Sequence, residues 1–145
     1  MIPVTPQPEP VSFDTQVRQP GMAFLAKVPR PSKADWKGHE HWRDASKEMH
    51  TAYSGICAYS CHWIPHDTGW KTIEHFLPKA NYPALAYEWS NFRLVCGVLN
   101  GRKSNRTVLD PFAFKSPCFI LDFPSLYMKP AVSLSAAEQK QAWET

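Results

Sequence analysis

The sequence has no run of 18 apolar residues, which excludes an α-helix of the usual length for crossing a membrane. No apolar segment follows a basic start at the amino terminus, so no secretory leader is read there. The four cysteines are therefore expected to be reduced thiols in the cytoplasm and not two disulfides. No internal repeat is present, and a net charge of +3 is too small by itself to single out a polyanionic partner. Acidic residues are missing from one interval, between Glu88 and Asp110, where Arg93, Arg102, Lys103 and Arg106 fall. A surface facing phosphate would have that charge pattern, since each neutralised phosphate releases counterions. A solvated basic helix is the plainer reading of the same run.

What is present is a chain of one-domain size: 145 residues, 43% hydrophobic and 13% aromatic, enough for a modest core. Seven of the 14 prolines fall in residues 1–31, with Pro3, Pro6, Pro8 and Pro10 nearly alternating. Proline fixes φ and lacks a backbone donor, so an extended arm is predicted there, with Phe13, Met22, Phe24 and Leu25 as apolar anchors. From residue 32 the pattern turns helical. Ser32 and Asp35 fit a capping box, Trp42, Ala45, Met49, Ala52 and Tyr53 recur at helical spacing, and Gly55 ends the run. A strand is predicted over 71–76, a long loop with Pro78 and Pro83 over 77–89, a short strand over 92–96, and a helix with Asn100 early in it to about residue 106. A further strand over 118–122 is expected to pack against these elements. Ser135 and Glu138 form a second capping box, opening a final short helix.

The chemistry lies between Glu74 and Asn105. Hydrolysis of a phosphodiester needs a group that takes a proton from the attacking water and a cation that neutralises charge on the phosphorane and the leaving oxygen. His75 suits the first task, because imidazole is largely an acceptor near neutral pH. Glu74 and Asn100 suit the second, since a carboxylate and an amide carbonyl are hard oxygen ligands of the kind Mg²⁺ or Mn²⁺ accepts. Adjacent strand residues point to opposite faces, so Glu74 and His75 could approach a phosphate from two sides. The Asn91 amide is placed to tie the intervening loop to the backbone near His75 and so to direct the imidazole. A Glu-His dipeptide or a lone histidine would carry little weight; their combination with the two asparagines carries more.

The order Ile73-Glu74-His75-Phe76, then Ser90-Asn91-Phe92, then Leu99-Asn100-Gly101-Arg102-Lys103-Ser104-Asn105 resembles the HNH endonuclease superfamily. Together with Cys57-Ala58-Tyr59 and the run from Tyr82 to Asn91, it is similar to the small HNH proteins of Septu-type and retron-associated anti-phage systems, over roughly residues 40–125. The resemblance implies an α+β fold: a small single domain built on a ββα-metal motif at about 71–106, with flanking helices, a proline-rich arm at 1–31 and the nuclease domain at 32–145. It implies that Glu74 and Asn100 bind the divalent cation, that His75 is the general base, and that Asn91 is the central asparagine. Lys79, Arg102, Lys103 and Arg106 would then contact nucleic acid, DNA being favoured and RNA the alternative, beside a partner ATPase.

Such relatives often carry two C-x2-C pairs that hold a structural zinc. Here Cys57 and Cys61 are one residue too far apart, and Leu99 stands where a partner of Cys96 would be. Cys57, Cys61 and Cys96 therefore read as small buried hydrophobes, with a zinc site completed by Cys118, His62 or His66 as the alternative. Two further functional readings use the same residues. One is a nucleic-acid-binding module that has lost cleavage; the other is a subunit that holds an ATPase by its proline-rich arm.

Overall fold

Thr72 and Ile73, β-branched and flanked by turn-rich sequence, lie in strand β1 (Lys71–His75), which pairs antiparallel with β2 (Phe92–Cys96). The register sets Glu74 opposite Arg93 and His75 opposite Phe92. The description comes from a computed structural model and covers residues 4–65, 70–113 and 118–145; Pro3 and His66, named above, lie outside them. Phe92, Leu94 and Val95 are all buried, because helices and loops cover both faces of β2. Helix α3 (Gly97–Lys103) follows β2 without a connecting loop. Its first residue must be small: a Cβ on Gly97 would stand 2.2 Å from the Trp70 ring, whose carbonyl accepts the Gly97 N–H at 2.8 Å. Predicted as a helix to about residue 106 with Asn100 early in it, this segment runs from Gly97 with Asn100 at its centre and ends where Ser104 takes a positive φ of 49°.

Two expectations about the first half of the chain are corrected. The arm at 1–31 is not extended throughout: a π-helical turn (Asp14–Arg18) runs into helix α1 (Gln19–Lys27), with Pro20 in the first turn, where a missing N–H costs nothing. Phe13, Val17, Phe24 and Leu25 are buried in the main core, while Met22 is exposed. Phe13 meets the rings of Trp89 and Phe92 edge-on at 5.5 and 5.7 Å, and Trp89 Nε1 donates to the Gln7 carbonyl at 2.8 Å. The segment is thus part of the core. The helix predicted from Ser32 starts late. Asp35 does accept the Ser32 N–H at 2.8 Å, but Gly38 at φ 82° breaks the turn, and helix resumes only at His41–Ala45 and α2 (Ser46–Ala52).

The C-terminal part forms a second, smaller unit. Strand β3 (Phe119–Asp122) lies where a strand over 118–122 is expected and forms a hairpin with β4 (Tyr127–Pro130) over a small cluster of Leu109, Cys118 and Ala142. Helix α4 (Ala136–Glu144) opens with both reciprocal bonds of the Ser135–Glu138 capping box. The fold is α+β, with four α-helices and two two-stranded antiparallel sheets among the described residues. No helix among them is long and apolar enough to cross a membrane.

Because Phe13 is fully enclosed by core aromatics, Phe13→Ala is expected to cost about 3–5 kcal/mol in urea unfolding. A loss below about 1 kcal/mol would mean that the amino-terminal segment is not part of the core.

Candidate functional site

Glu74 and His75 end β1, where the chain turns into the loop before β2. Glu74 is only 2% exposed. One carboxylate oxygen receives the Lys103 ammonium from α3 at 2.6 Å and the other accepts the Tyr59 hydroxyl at 3.1 Å. Burial pushes the Glu74 carboxyl above its ordinary range, against the pull of Lys103. Burial and the neighbouring carboxylate also push Tyr59 up, so its O–H stays a donor. Lys103 donates in addition to the carbonyls of His75 and Phe76, at 3.2 and 3.0 Å. The expectation that Lys103 faces nucleic acid is therefore corrected. It lies on the face of α3 turned toward β1, and its charge is taken up inside the protein. Arg93 is withdrawn from the basic interval in the same way, bound to Asp110 at 2.8–3.0 Å and stacked on Phe112.

The His75 ring is wedged between the edges of Trp42 and Phe92, at centroid distances of 5.0 and 5.3 Å. Its Nε2 lies 2.9 Å from the Ala86 carbonyl, which can only accept, so the proton sits on Nε2 and Nδ1 is the acceptor. Burial, helped by the charges of Lys79 and Lys103, brings the imidazole down to about 3, with the Ala86 bond in opposition. The ring is neutral at physiological pH.

Asn91 is buried and clamps the loop after β1. Its Oδ1 accepts the Leu77 N–H at 2.8 Å, while Nδ2 donates to the carbonyls of Leu77 and Leu85 at 3.0 and 3.1 Å. The carbonyl that orients His75 belongs to Ala86, the residue after Leu85, so the clamp reaches the imidazole through one peptide unit. Asn100, on α3, donates Nδ2 to Thr72 Oγ1 at 2.9 Å, which leaves its carbonyl oxygen as the atom able to meet a cation.

Glu74, His75 and Asn100 line one cavity of about 380 Å³, with Lys33, Trp36 and Lys79 on its wall. A second cavity of about 600 Å³ shares His75, Lys79 and Asn100 and adds Trp42, Arg43, Trp70 and Lys71. Asn91 lines neither; it stands behind the wall. Lys79 lies over the Trp42 ring at 5.0 Å, and burial lowers its ammonium below the usual range, with Arg43 adding to the effect. Arg102 is exposed on α3, and Arg106, also exposed, reaches Glu144 at 3.7 Å. Lys33, Arg43, Lys71, Tyr59 and Trp42 were not anticipated as parts of the site. Lys33, Arg43 and Trp42 come from the first half of the chain, and only folding brings them to the cavities.

The donor set fits a hard divalent cation: a carboxylate and an amide carbonyl beside one polar cavity, with room for water ligands. Any such ion would share Glu74 with the Lys103 ammonium. Of the four cysteines, Cys57 and Cys96 come together with His62, their ligand atoms all within 4.8 Å of one another; Cys61 is not in that group, and Cys118 belongs to the smaller core. The chain matches no family model, no curated protein and no solved structure.

The His75 shift predicts a pH dependence of stability. Unfolded, the imidazole takes up its proton near 6.5; folded, it does so only near 3. The unfolded state therefore binds more protons between those values, and stability, full above 6.5, is lost as pH falls. Between pH 7 and 5 the wild type should lose more unfolding free energy than His75→Gln, measured in urea. Parallel pH profiles for the two would contradict the buried neutral imidazole.

Proposed function

We propose that the chain is a metal-dependent endonuclease of the HNH type that hydrolyses phosphodiester bonds of nucleic acid, DNA in preference to RNA. It would act in the cytoplasm as the nuclease component of an anti-phage defence system, beside an ATPase. The observation that carries this reading is the meeting of Glu74, His75 and Asn100 on one cavity at the end of β1, with Asn91 fixing the loop behind it. The succession of β1, loop, β2 and α3 supports a ββα-metal motif, since it has the order and pairing that motif requires.

Glu74 and Asn100 would hold Mg²⁺ or Mn²⁺. The ion supplies charge neutralisation at the phosphate and at the departing 3′ oxygen. His75 accepts a proton from the attacking water at Nδ1, with Nε2–H fixed on Ala86. Burial of the ring disfavours imidazolium; the negative charge of a bound phosphodiester favours it and raises the proton affinity of His75 during the step. Lys79 reaches the phosphate from the wall shared by both cavities, and Arg102 and Arg106 attract the backbone from the exposed side. Lys103 balances Glu74.

A second reading, a nucleic-acid-binding module that no longer cleaves, is favoured by one observation: the Lys103 ammonium already satisfies the charge of Glu74. Incubation of plasmid, single-stranded DNA and total RNA with Mg²⁺ or Mn²⁺, with and without EDTA, separates the two. Cleavage that EDTA abolishes, and that His75→Ala slows by roughly 10²–10⁴-fold, is expected of the nuclease. Retention of nucleic acid with no metal-dependent cleavage would establish the binding module instead.

A further inference from the structure

We propose that Trp70 is a stacking platform for an unpaired nucleobase, which makes single-stranded nucleic acid the substrate class of this site. The inference rests on the reading that the site takes nucleic acid, and deepens it. Trp70 stands immediately before β1, where its carbonyl accepts the Gly97 N–H at 2.8 Å and so continues the pairing with β2 by one step. A Cβ on Gly97 would lie 2.2, 2.4 and 2.6 Å from three adjacent atoms of the indole, Cδ2, Cε2 and Cε3. Near-equal distances to atoms around one ring fusion mean that the glycine meets the indole face-on. One face is therefore pressed on backbone, yet the residue remains 69% exposed and lines the larger cavity. The opposite face is a flat apolar surface turned to that cavity and held from behind.

The surroundings of the ring suit a strand better than an apolar ligand. The cavity of about 600 Å³ has room for one nucleotide, and among the described residues its wall carries Arg43, Lys71 and Lys79 with no carboxylate. Ser46, Thr72 and Asn100 add neutral polar groups. A cationic wall beside an aromatic platform grips single strands without reading sequence, because the cations follow the phosphates and every base offers a π-face to the ring. A duplex cannot use the platform, since both faces of each internal base are covered by its neighbours in the stack. His75 and Lys79 lie on the same cavity, so a strand stacked on Trp70 also passes the groups assigned to the reaction. At about 3.3 Å per residue along β1, the α-carbons of Trp70 and His75 are on the order of 16 Å apart. The stacked base thus belongs to a neighbour of the nucleotide that is cut. Trp70 selects the strand without touching the reacting atoms.

The test is the binding of fluorescein-labelled oligothymidylate and oligouridylate to the full-length chain, followed by anisotropy in EDTA so that no cleavage intervenes. Whichever strand binds more tightly identifies the sugar and serves for the variants. Trp70→Ala should weaken its binding roughly 5- to 100-fold, while Trp70→Phe stays within about threefold of the wild type. Affinity for a relaxed closed-circular duplex, which has neither ends nor unpaired bases, should be the same in all three. Trp143 on α4 is comparably exposed but lines neither cavity, and Trp143→Ala should bind as the wild type does. Where Trp70→Ala does not fold, irradiation of the wild type with a 5-iodouracil-substituted strand decides: a cross-link at Trp70 supports the platform, and cross-links that leave Trp70 unmodified overturn it. No binding of either strand, strand binding indifferent to Trp70→Ala, equal loss in Trp70→Phe, or a loss as large for the circular duplex would each overturn it too. EDTA-sensitive cleavage with no effect of Trp70 on binding would sink the platform and spare the nuclease reading; Trp70-dependent binding without cleavage would do the reverse.

Discussion

A carboxylate and an ammonium buried 2.6 Å apart hold β1 against α3, and the rest of the site depends on that pair. Neither charge is tolerable alone at this depth, because removal of one partner leaves the other desolvated and unpaired. Tyr59 satisfies the second oxygen of Glu74, and the carbonyls of His75 and Phe76 satisfy the remaining protons of Lys103. The pair therefore fixes how α3 lies across the end of β1. That placement in turn brings Asn100 to Thr72 and onto the same cavity wall as Glu74 and His75.

Around this polar centre the support is mostly aromatic. Phe13 presses on Phe92, Phe92 and Trp42 bracket the His75 ring, and Trp42 also lies under the Lys79 ammonium. A residue near the amino terminus thus contributes, at one remove, to the burial that keeps His75 neutral. Asn91 supplies the complementary constraint by fixing Leu77 and Leu85, so that the Ala86 carbonyl stays where the imidazole needs it. The imidazole direction is set by a loop that one amide holds closed.

The paired strands were legible because their residues are β-prone and their ends are marked by proline- and asparagine-rich sequence. The Ser135–Glu138 cap was legible because the signal is local. Asn91 was expected to tie the loop to the backbone near His75, and its amide bonds Leu77 and Leu85. What could not be read was decided by burial. The clustered prolines suggested an extended arm, yet helix forms beyond Pro10 because Phe13, Val17, Phe24 and Leu25 pack into the core, and Pro20 is harmless in a first turn. Lys103 looked like one more phosphate ligand beside Arg102, since the helix phase that turns it inward depends on where α3 begins. Arg93 sits in a strand buried on both faces and needs Asp110 as its partner. Lys33 and Arg43 come to the cavities from distant parts of the chain, with no pattern to announce them.

The central claim is that Glu74 and Asn100 share one cation while His75 acts on water beside it. Calorimetric titration of Mn²⁺ into the wild-type chain and three alanine variants tests this most directly. The account predicts that Glu74→Ala and Asn100→Ala each weaken binding by at least about tenfold and that His75→Ala leaves it unchanged. Equal weakening in all three, or no difference between any variant and the wild type, would contradict it.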